Sequence, residues 1–265
     1  VPQGDVPALE EALAGRDVAA VILEPTGAHW GTEPLPASYL EEMRRVTTEA
    51  GTLMVMDEVI TGFRMAPGGA QERYGVTPDL STHAKILAGG LPGGCVTGRA
   101  DVVSMLEMRE GDPDWNSKRR VSHQGTFNAN PASAAAGLTA LQIIEDGTPN
   151  GAADETAAAI VRGLNDLFAA ESVPGSVWAV SSMWHFNLGE DAPVPAELEW
   201  DAATEPPGVS DALMRPLRWA LFNHGVDLMG NGGMVSAAHG AAEVSDTIDA
   251  FRAAVGDLRS EGLLR

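Results

Sequence analysis

The chain has 265 residues, 44% of them hydrophobic, which is enough for a large domain or for a large and a small one around a substantial core. It carries 37 acidic against 17 basic side chains, a formal net charge of −20, which argues against nucleic acid or an anionic membrane surface as partner. No apolar run approaches the roughly 20 residues of a membrane span, and no CxxC or HExxH pattern points to a metal.

In chain order, "DVAAVILEP" (17–25) reads as a short buried strand closed by a proline. Residues 36–51 have helical spacing, with Leu40, Met43, Val46 and Thr47 on one side, charges on the other and Gly51 as the stop. "TLMVMD" (52–57) is a second buried strand ending in a carboxylate, and "DLSTHAK" (79–85) a third, shorter one ending at Lys85. "GCVTGR" (94–99) is a candidate fourth, followed by a helix over "ADVVSMLEM" (100–108). Near-continuous apolar strands alternating with helices imply an α/β fold whose mainly parallel sheet is covered on both faces. Cys95, the one cysteine, forbids an intrachain disulfide and fits a reducing compartment. With no basic, apolar leader at the start, the expected location is cytoplasmic.

Residues 111–131 are polar and loop-rich, and Pro131 then opens an alanine-rich helix. A second strong helix covers 153–171. "SVWAVSSMWHFNLG" (176–189) alternates like antiparallel strand, and 190–208 reads as an acidic, proline-rich loop. A helix near 213–223, a short segment "GVDL" and a last helix from about 244 complete an α+β tail. The division expected is a large domain over 1–149 and a small one over 150–265.

Asp57 ends an apolar strand, and in open α/β sheets ligands bind beyond the carboxyl ends of strands. Taken alone it reads as a helix cap or a surface carboxylate. Lys85 ends the next strand-like run and emerges on the same rim, where partial desolvation turns a lysine into a nucleophile. Taken alone it reads as a lysine snorkelling from a strand end. Together they supply what pyridoxal phosphate requires, an amine for a Schiff base and an acid opposite the pyridine nitrogen. The loop "AGGLPGG" (88–94) matches neither GxxxxGK[ST] nor GxGxxG, so it reads as close backbone packing beside the lysine. In "HQGTFNANP" (123–131), Gly125 and Thr126 offer an N–H and a hydroxyl suited to a phosphate oxygen, or form an ordinary turn before a helix.

The stretch "DEVITGFRMAPGGAQERYGVTPDLSTHAKILAGGLPGG" (57–94) closely resembles the cofactor-lysine region of class III, fold-type I, pyridoxal-phosphate aminotransferases, in the branch of glutamate-1-semialdehyde aminomutase and its aminotransferase relatives. "VILEP", "HQGTFNANPASAAAG" and "VSAAH" (235–239) fit the same branch in the same order. The resemblance implies that Lys85 forms the Schiff base, that Asp57 contacts the pyridine nitrogen and that Val59 packs on one ring face. It also implies a homodimer in which Thr126 binds the phosphate in the neighbouring subunit's site.

The chain departs from that pattern in three places. Family members carry a further N-terminal part of the large domain ahead of "VILEP", with a phosphate-binding turn and a stacking aromatic, so this chain is expected to be partial. A family glutamate or asparagine after "EP" is replaced by His29 in "EPTGAHWG", which makes His29, with Trp30, a candidate substrate contact or a structural loop residue. An aminomutase carries a glutamate shortly before "SAAH"; here the nearest match is Asn231. The expected activity is therefore transfer of an amino group between an amino acid or amine and a keto acid or aldehyde. The alternatives are an isomerase (an amine shift or a racemisation on the same lysine) and a non-catalytic part that completes another chain's site. Arg64, Arg119 and Arg120 are candidates for a substrate carboxylate or for the surface. Trp30, Phe127 and Trp184 are candidate pocket walls, with Trp184 fitting core packing better.

Overall fold

The structure, a computed structural model, describes residues 1–36, 38–189 and 209–264. The acidic, proline-rich stretch 190–208 lies outside the described residues. The elements run α1 (Val6–Leu13), β1 (Ala20–Leu23), a helical turn α2 (Ala28–Gly31), α3 (Tyr39–Ala50), β2 (Leu53–Glu58), α4 (Gly69–Tyr74) and β3 (Leu80–Ala84). A 3-10 turn, Lys85–Ala88, precedes β4 (Gly94–Gly98), α5 (Ala100–Val103) and α6 (Pro131–Ile144). Then follow α7 (Thr148–Ala170), β5 (Gly175–Val180), β6 (Met183–Leu188), α8 (Asp211–Asn223), β7 (Gly232–Met234) and α9 (Ala241–Ser260).

The chain forms two compact units. The first contains Val1, Val6–Pro25 and Leu40–Glu145; the second contains Pro2–Asp5, Thr26–Tyr39 and Asp146–Arg265. In the first, β1, β2 and β3 are parallel and adjacent in that order, and β4 closes the sheet antiparallel to β3. The apolar run of β2 explains its central place, since Met54 and Met56 are fully buried. The predicted helical spacing of α3 is realised: Leu40, Met43, Val46 and Thr47 are buried, while Arg45 pairs outside with Glu10, Glu42 and Glu49.

Asp79, buried just ahead of β3, ties this strand to β2, to α3 and to the end of β4. Its carboxylate takes the Met54 N–H at 2.8 Å and pairs with Arg44 at 2.8 Å and Arg99 at 3.0 Å. Burial alone would raise its pKa, but the Met54 N–H and the Arg99 and Arg44 guanidiniums outweigh it and hold the carboxyl below the usual range. The helix predicted over 100–108 is shorter than expected. It passes into a 3-10 turn at Ser104–Leu106, where the Glu107 N–H bonds the Ser104 carbonyl and the chain leaves in extended form. The start of α6 follows from its sequence: Pro131 sits in the first turn, and the Asn130 side chain accepts from the Ala132 and Ser133 N–H groups.

In the second unit, β5, β6 and β7 form an antiparallel sheet. Helix α7 packs against it, α9 against α7 and α8 against α9, around one core that includes Leu164, Phe186, Leu217, Leu221 and Phe251, all fully or almost fully buried. Trp184 belongs to this core, 6.1 Å from Phe186 and 6.2 Å from Phe251 between ring centroids. The third strand, β7, is built from "GGM" rather than from a β-branched run. The glycine permits the approach, because a Cβ at Gly232 would collide with the Trp184 carbonyl oxygen.

Candidate active site

The carboxyl ends of β2 and β3 bring the sequence-predicted polar groups of the first unit to one edge of the sheet. Asp57 pairs in register with Thr82 on the neighbouring strand. Its Oδ1 accepts the Thr82 hydroxyl at 2.9 Å and the Val59 N–H at 3.1 Å. Val59 thus begins the turn that leaves β2 and locks the carboxylate at the same time. Thr82 was not singled out in the sequence. Its signal was its place three residues before Lys85, on the strand face shared with Asp57, which becomes visible once the register is known.

Lys85 follows β3 directly, is exposed, and has a φ of 50°, in the left-handed region. That conformation costs a non-glycine residue on the order of 1–3 kcal/mol, so the surrounding structure must impose it. The glycine-rich loop supplies the constraint. A Cβ at Gly89 would collide with the Ala136 carbonyl oxygen, and one at Gly137 with the Leu87 carbonyl oxygen. The turn after Lys85 therefore lies backbone to backbone on α6, the close packing expected from "AGGLPGG".

The opposite face of the same strands is a buried polar network. Glu58 is fully buried and accepts from the Thr61 hydroxyl at 3.1 Å, the Ala70 N–H at 2.6 Å, the Gln71 N–H at 3.4 Å and the Gln71 side chain at 2.9 Å. It draws the loop 59–71 against β2, so that the turn touching Asp57 has one shape. His83 shares that face, 2.9 Å from the Ser81 hydroxyl. Burial pushes its pKa down, against a smaller upward pull from Glu58.

Thr126 lies exposed in the loop before α6. Its neighbour Phe127 is 77% exposed and, with Leu87, Ala88, Pro92, His123 and Asn130, lines a groove of about 700 Å³. Arg120 donates to the Leu106 carbonyl, and the Arg119 guanidinium lies 5.7 Å from the Trp115 ring, so both are engaged by their own loop. Asn231 donates to the Phe186 carbonyl in the second unit.

His29 and Trp30 belong to the second unit, in the turn 27–32. His29 is exposed and Trp30 half-buried. Beneath them lies His185, fully buried on β6. Its Nε2 meets the Trp30 carbonyl at 3.2 Å and its Nδ1 the Thr32 hydroxyl at 3.1 Å. A carbonyl only accepts, so Nε2 carries the proton and Nδ1 is the acceptor of a neutral ring. Burial pushes the His185 pKa down to about 4, against the pull of the Trp30 carbonyl.

The sign of the consequence follows from proton counting. An unfolded histidine binds its proton near pH 6.5 and folded His185 near 4, so between these values the unfolded chain holds more protons. Stability is full above about pH 6.5 and falls as the pH drops toward 4, by about 3 kcal/mol in all. Urea titrations from pH 7 to pH 4 measure this, and a His185→Phe variant is expected to lose that part of the acid slope. Identical slopes in the two proteins would remove His185 as the cause.

A parallel sheet with Asp57 and Lys85 at its carboxyl edge, together with an antiparallel α+β unit, defines the class: fold-type I of the pyridoxal-phosphate-dependent transferases. An omega-transaminase from Sphaerobacter thermophilus superposes with a TM-score of 0.82 at 31% identity, over 98% of this chain and 57% of that one. A β-phenylalanine aminotransferase from Variovorax paradoxus does so with a TM-score of 0.80 at 26% identity, over 100% of this chain and 58% of that one. The model of the class-III aminotransferases matches residues 3–210, and the chain belongs to that family. Among its curated relatives, a glutamate-1-semialdehyde 2,1-aminomutase from Hyperthermus butylicus is 35% identical over 261 residues, 96% of this chain and 57% of the relative. A protein of the same name from Thermomicrobium roseum is 32% identical, over 97% of this chain and 57% of its own length. The chain thus spans a little over half the length of these relatives.

Proposed function

We propose that this chain carries the cofactor-lysine part of a pyridoxal-phosphate-dependent aminotransferase, with Lys85 as the residue that binds the cofactor covalently. The observation that carries the reading is Lys85, exposed and left-handed at the end of β3, next to the strand whose Asp57 is fixed by the Thr82 hydroxyl and the Val59 N–H. The donor set fits the group. Both bonds to Asp57 fall on Oδ1, which leaves Oδ2 as an acceptor for a protonated ring nitrogen. When bound, pyridoxal phosphate supplies the electron sink for charge that develops at the substrate carbon.

The roles of the chain's own residues follow. Lys85 Nζ would hold the cofactor covalently and, as a free amine, would move the proton at the substrate carbon. Asp57 holds the proton on the ring nitrogen. Val59 covers one ring face, and Thr126 binds phosphate in the neighbouring subunit of a homodimer. His29 and Trp30 contact the substrate. Residues 1–149 form part of the cofactor-binding domain and residues 150–265 the small domain of a cytoplasmic enzyme. The described residues include no helix long and apolar enough to cross a membrane.

A second reading is an intramolecular amine shift, favoured by the 2,1-aminomutase names of the curated relatives. One experiment separates the two. The holoenzyme is given an amino substrate with and without a keto or aldehyde acceptor, and the products are resolved by mass and chromatography. Transfer predicts sustained turnover only with the acceptor present. Turnover of a single substrate into its isomer with no acceptor would overturn transfer in favour of the shift.

A further inference from the structure

The turn that carries His29 and Trp30 is tied down from within its own unit by a buried histidine that none of the roles above uses. His185 sits in the middle of β6 with its Nε2–H on the Trp30 carbonyl. The Trp30 ring packs on its imidazole at 4.5 Å between centroids, and Trp178 stacks on the imidazole at 5.7 Å. Trp178 also donates its indole N–H to the Gly31 carbonyl at 3.2 Å. Two consecutive carbonyls of the turn, at residues 30 and 31, are therefore held by side chains of β6 and β5. At the base of the turn the Gln3 amide bridges the Ala28 N–H at 2.7 Å and the Glu33 carbonyl at 2.6 Å.

The turn needs this holding. His29 and Trp30 are both left-handed, with φ of 51° and 54°. Two adjacent non-glycine residues in that region persist only where the surroundings over-determine them. A histidine kept only to fill the core would be met equally by an apolar ring. A neutral imidazole with a donor aimed at one backbone carbonyl and an acceptor aimed at the Thr32 hydroxyl does more, because it fixes the direction of the backbone between them.

We propose that His185 is a positioning residue that sets how His29 and Trp30 are presented to the substrate, so that substrate affinity is governed from β6. This rests on the reading that His29 and Trp30 contact the substrate. The substituents it serves are those of the amino substrate rather than of the cofactor, and the effect belongs in KM.

In the holoenzyme, His185→Phe keeps a ring of similar size and removes both hydrogen bonds. KM for the amino donor is expected to rise about ten-fold with kcat within about two-fold, as for loss of uniform substrate binding. The visible absorbance of the bound cofactor should stay unchanged, and hydrogen exchange at the Gly31 and Thr32 amides should quicken. His29→Ala and Trp30→Ala test the underlying reading and should raise KM as well. The His29→Ala/His185→Phe pair should raise it by less than the product of the single effects. An unchanged KM in His185→Phe, with His29→Ala or Trp30→Ala still raising it, overturns the positioning role and leaves the substrate reading standing. An unchanged KM in both His29→Ala and Trp30→Ala overturns the substrate reading, and the positioning role falls with it. If His185→Phe does not fold, Thr32→Val keeps the histidine and removes the hydroxyl that lies 3.1 Å from both His185 Nδ1 and the His29 carbonyl. A rise in KM of about three-fold is then expected, and no rise overturns the proposal.

Discussion

Lys85→Ala is expected to abolish the visible absorbance of covalently bound pyridoxal phosphate and to lower turnover by roughly 10³–10⁴-fold, since one side chain is proposed to supply both the attachment and the mobile proton. The fold should survive. Lys85 is exposed, and no part of the buried core depends on it. Stability should therefore stay within about 1 kcal/mol of the parent. A control comes from the backbone: Lys85 holds a φ of 50°, which glycine adopts without a steric penalty. Lys85→Gly should be equally inactive yet about 1 kcal/mol more stable than Lys85→Ala. The spectrum, a turnover assay and urea midpoints measure these three effects. Retention of the visible band or of turnover in Lys85→Ala would remove Lys85 from the role proposed for it.

The second large effect concerns stability. Glu58 has no exposed surface and accepts from Thr61, Ala70 and Gln71. Glu58→Leu keeps much of the volume but leaves two backbone N–H groups and the Gln71 amide facing an apolar side chain. Each buried donor left without an acceptor costs about 1–3 kcal/mol, offset in part because a carboxyl no longer has to be buried, so a net loss of about 3–5 kcal/mol is expected. At about 2–4 °C per kcal/mol for a chain of this size, the melting temperature should fall by roughly 10 °C. Cofactor affinity should fall with it, because the loop that begins at Val59 is the loop Glu58 holds. A melting temperature within about 2 °C of the parent would mean that the network is not what shapes the loop.

Strand and helix identity were legible from local pattern. The apolar runs 17–25 and 52–57 both became strands, but only β2 is buried as expected. Strand β1 ends the sheet among the described residues and alternates between exposed and half-buried positions, with Ile22 62% exposed, so its apolar run marks the strand without marking a covered face. Helix α3 followed from its 3.6-residue period, and α6 from Pro131 at its start. The family-defining stretch 57–94 was legible as well, since its acid, lysine and glycines are contiguous in the chain. What escaped were groups whose meaning comes from residues far away. Glu58 looks like the second acid of a pair until Ala70 and Gln71 are folded onto it. His185 looks like one position in an alternating strand until the turn at 27–32 is laid across it, more than 150 residues away. Thr82 needs the β2–β3 register before it becomes a partner of Asp57. Residues 26–39 group with the second unit although the chain around them belongs to the first.

By itself, then, the sequence determined the family, the α/β order of elements and the residues to ask about, because periodicity and a contiguous motif are local properties. Only the tertiary structure decided that β4 runs antiparallel to β3, that glycines 232 and 233 form a strand, and which side chains hold the loops around Asp57 and His29. Those outcomes depend on hydrogen bonds and backbone approaches between distant segments, and no local window of the chain contains both partners.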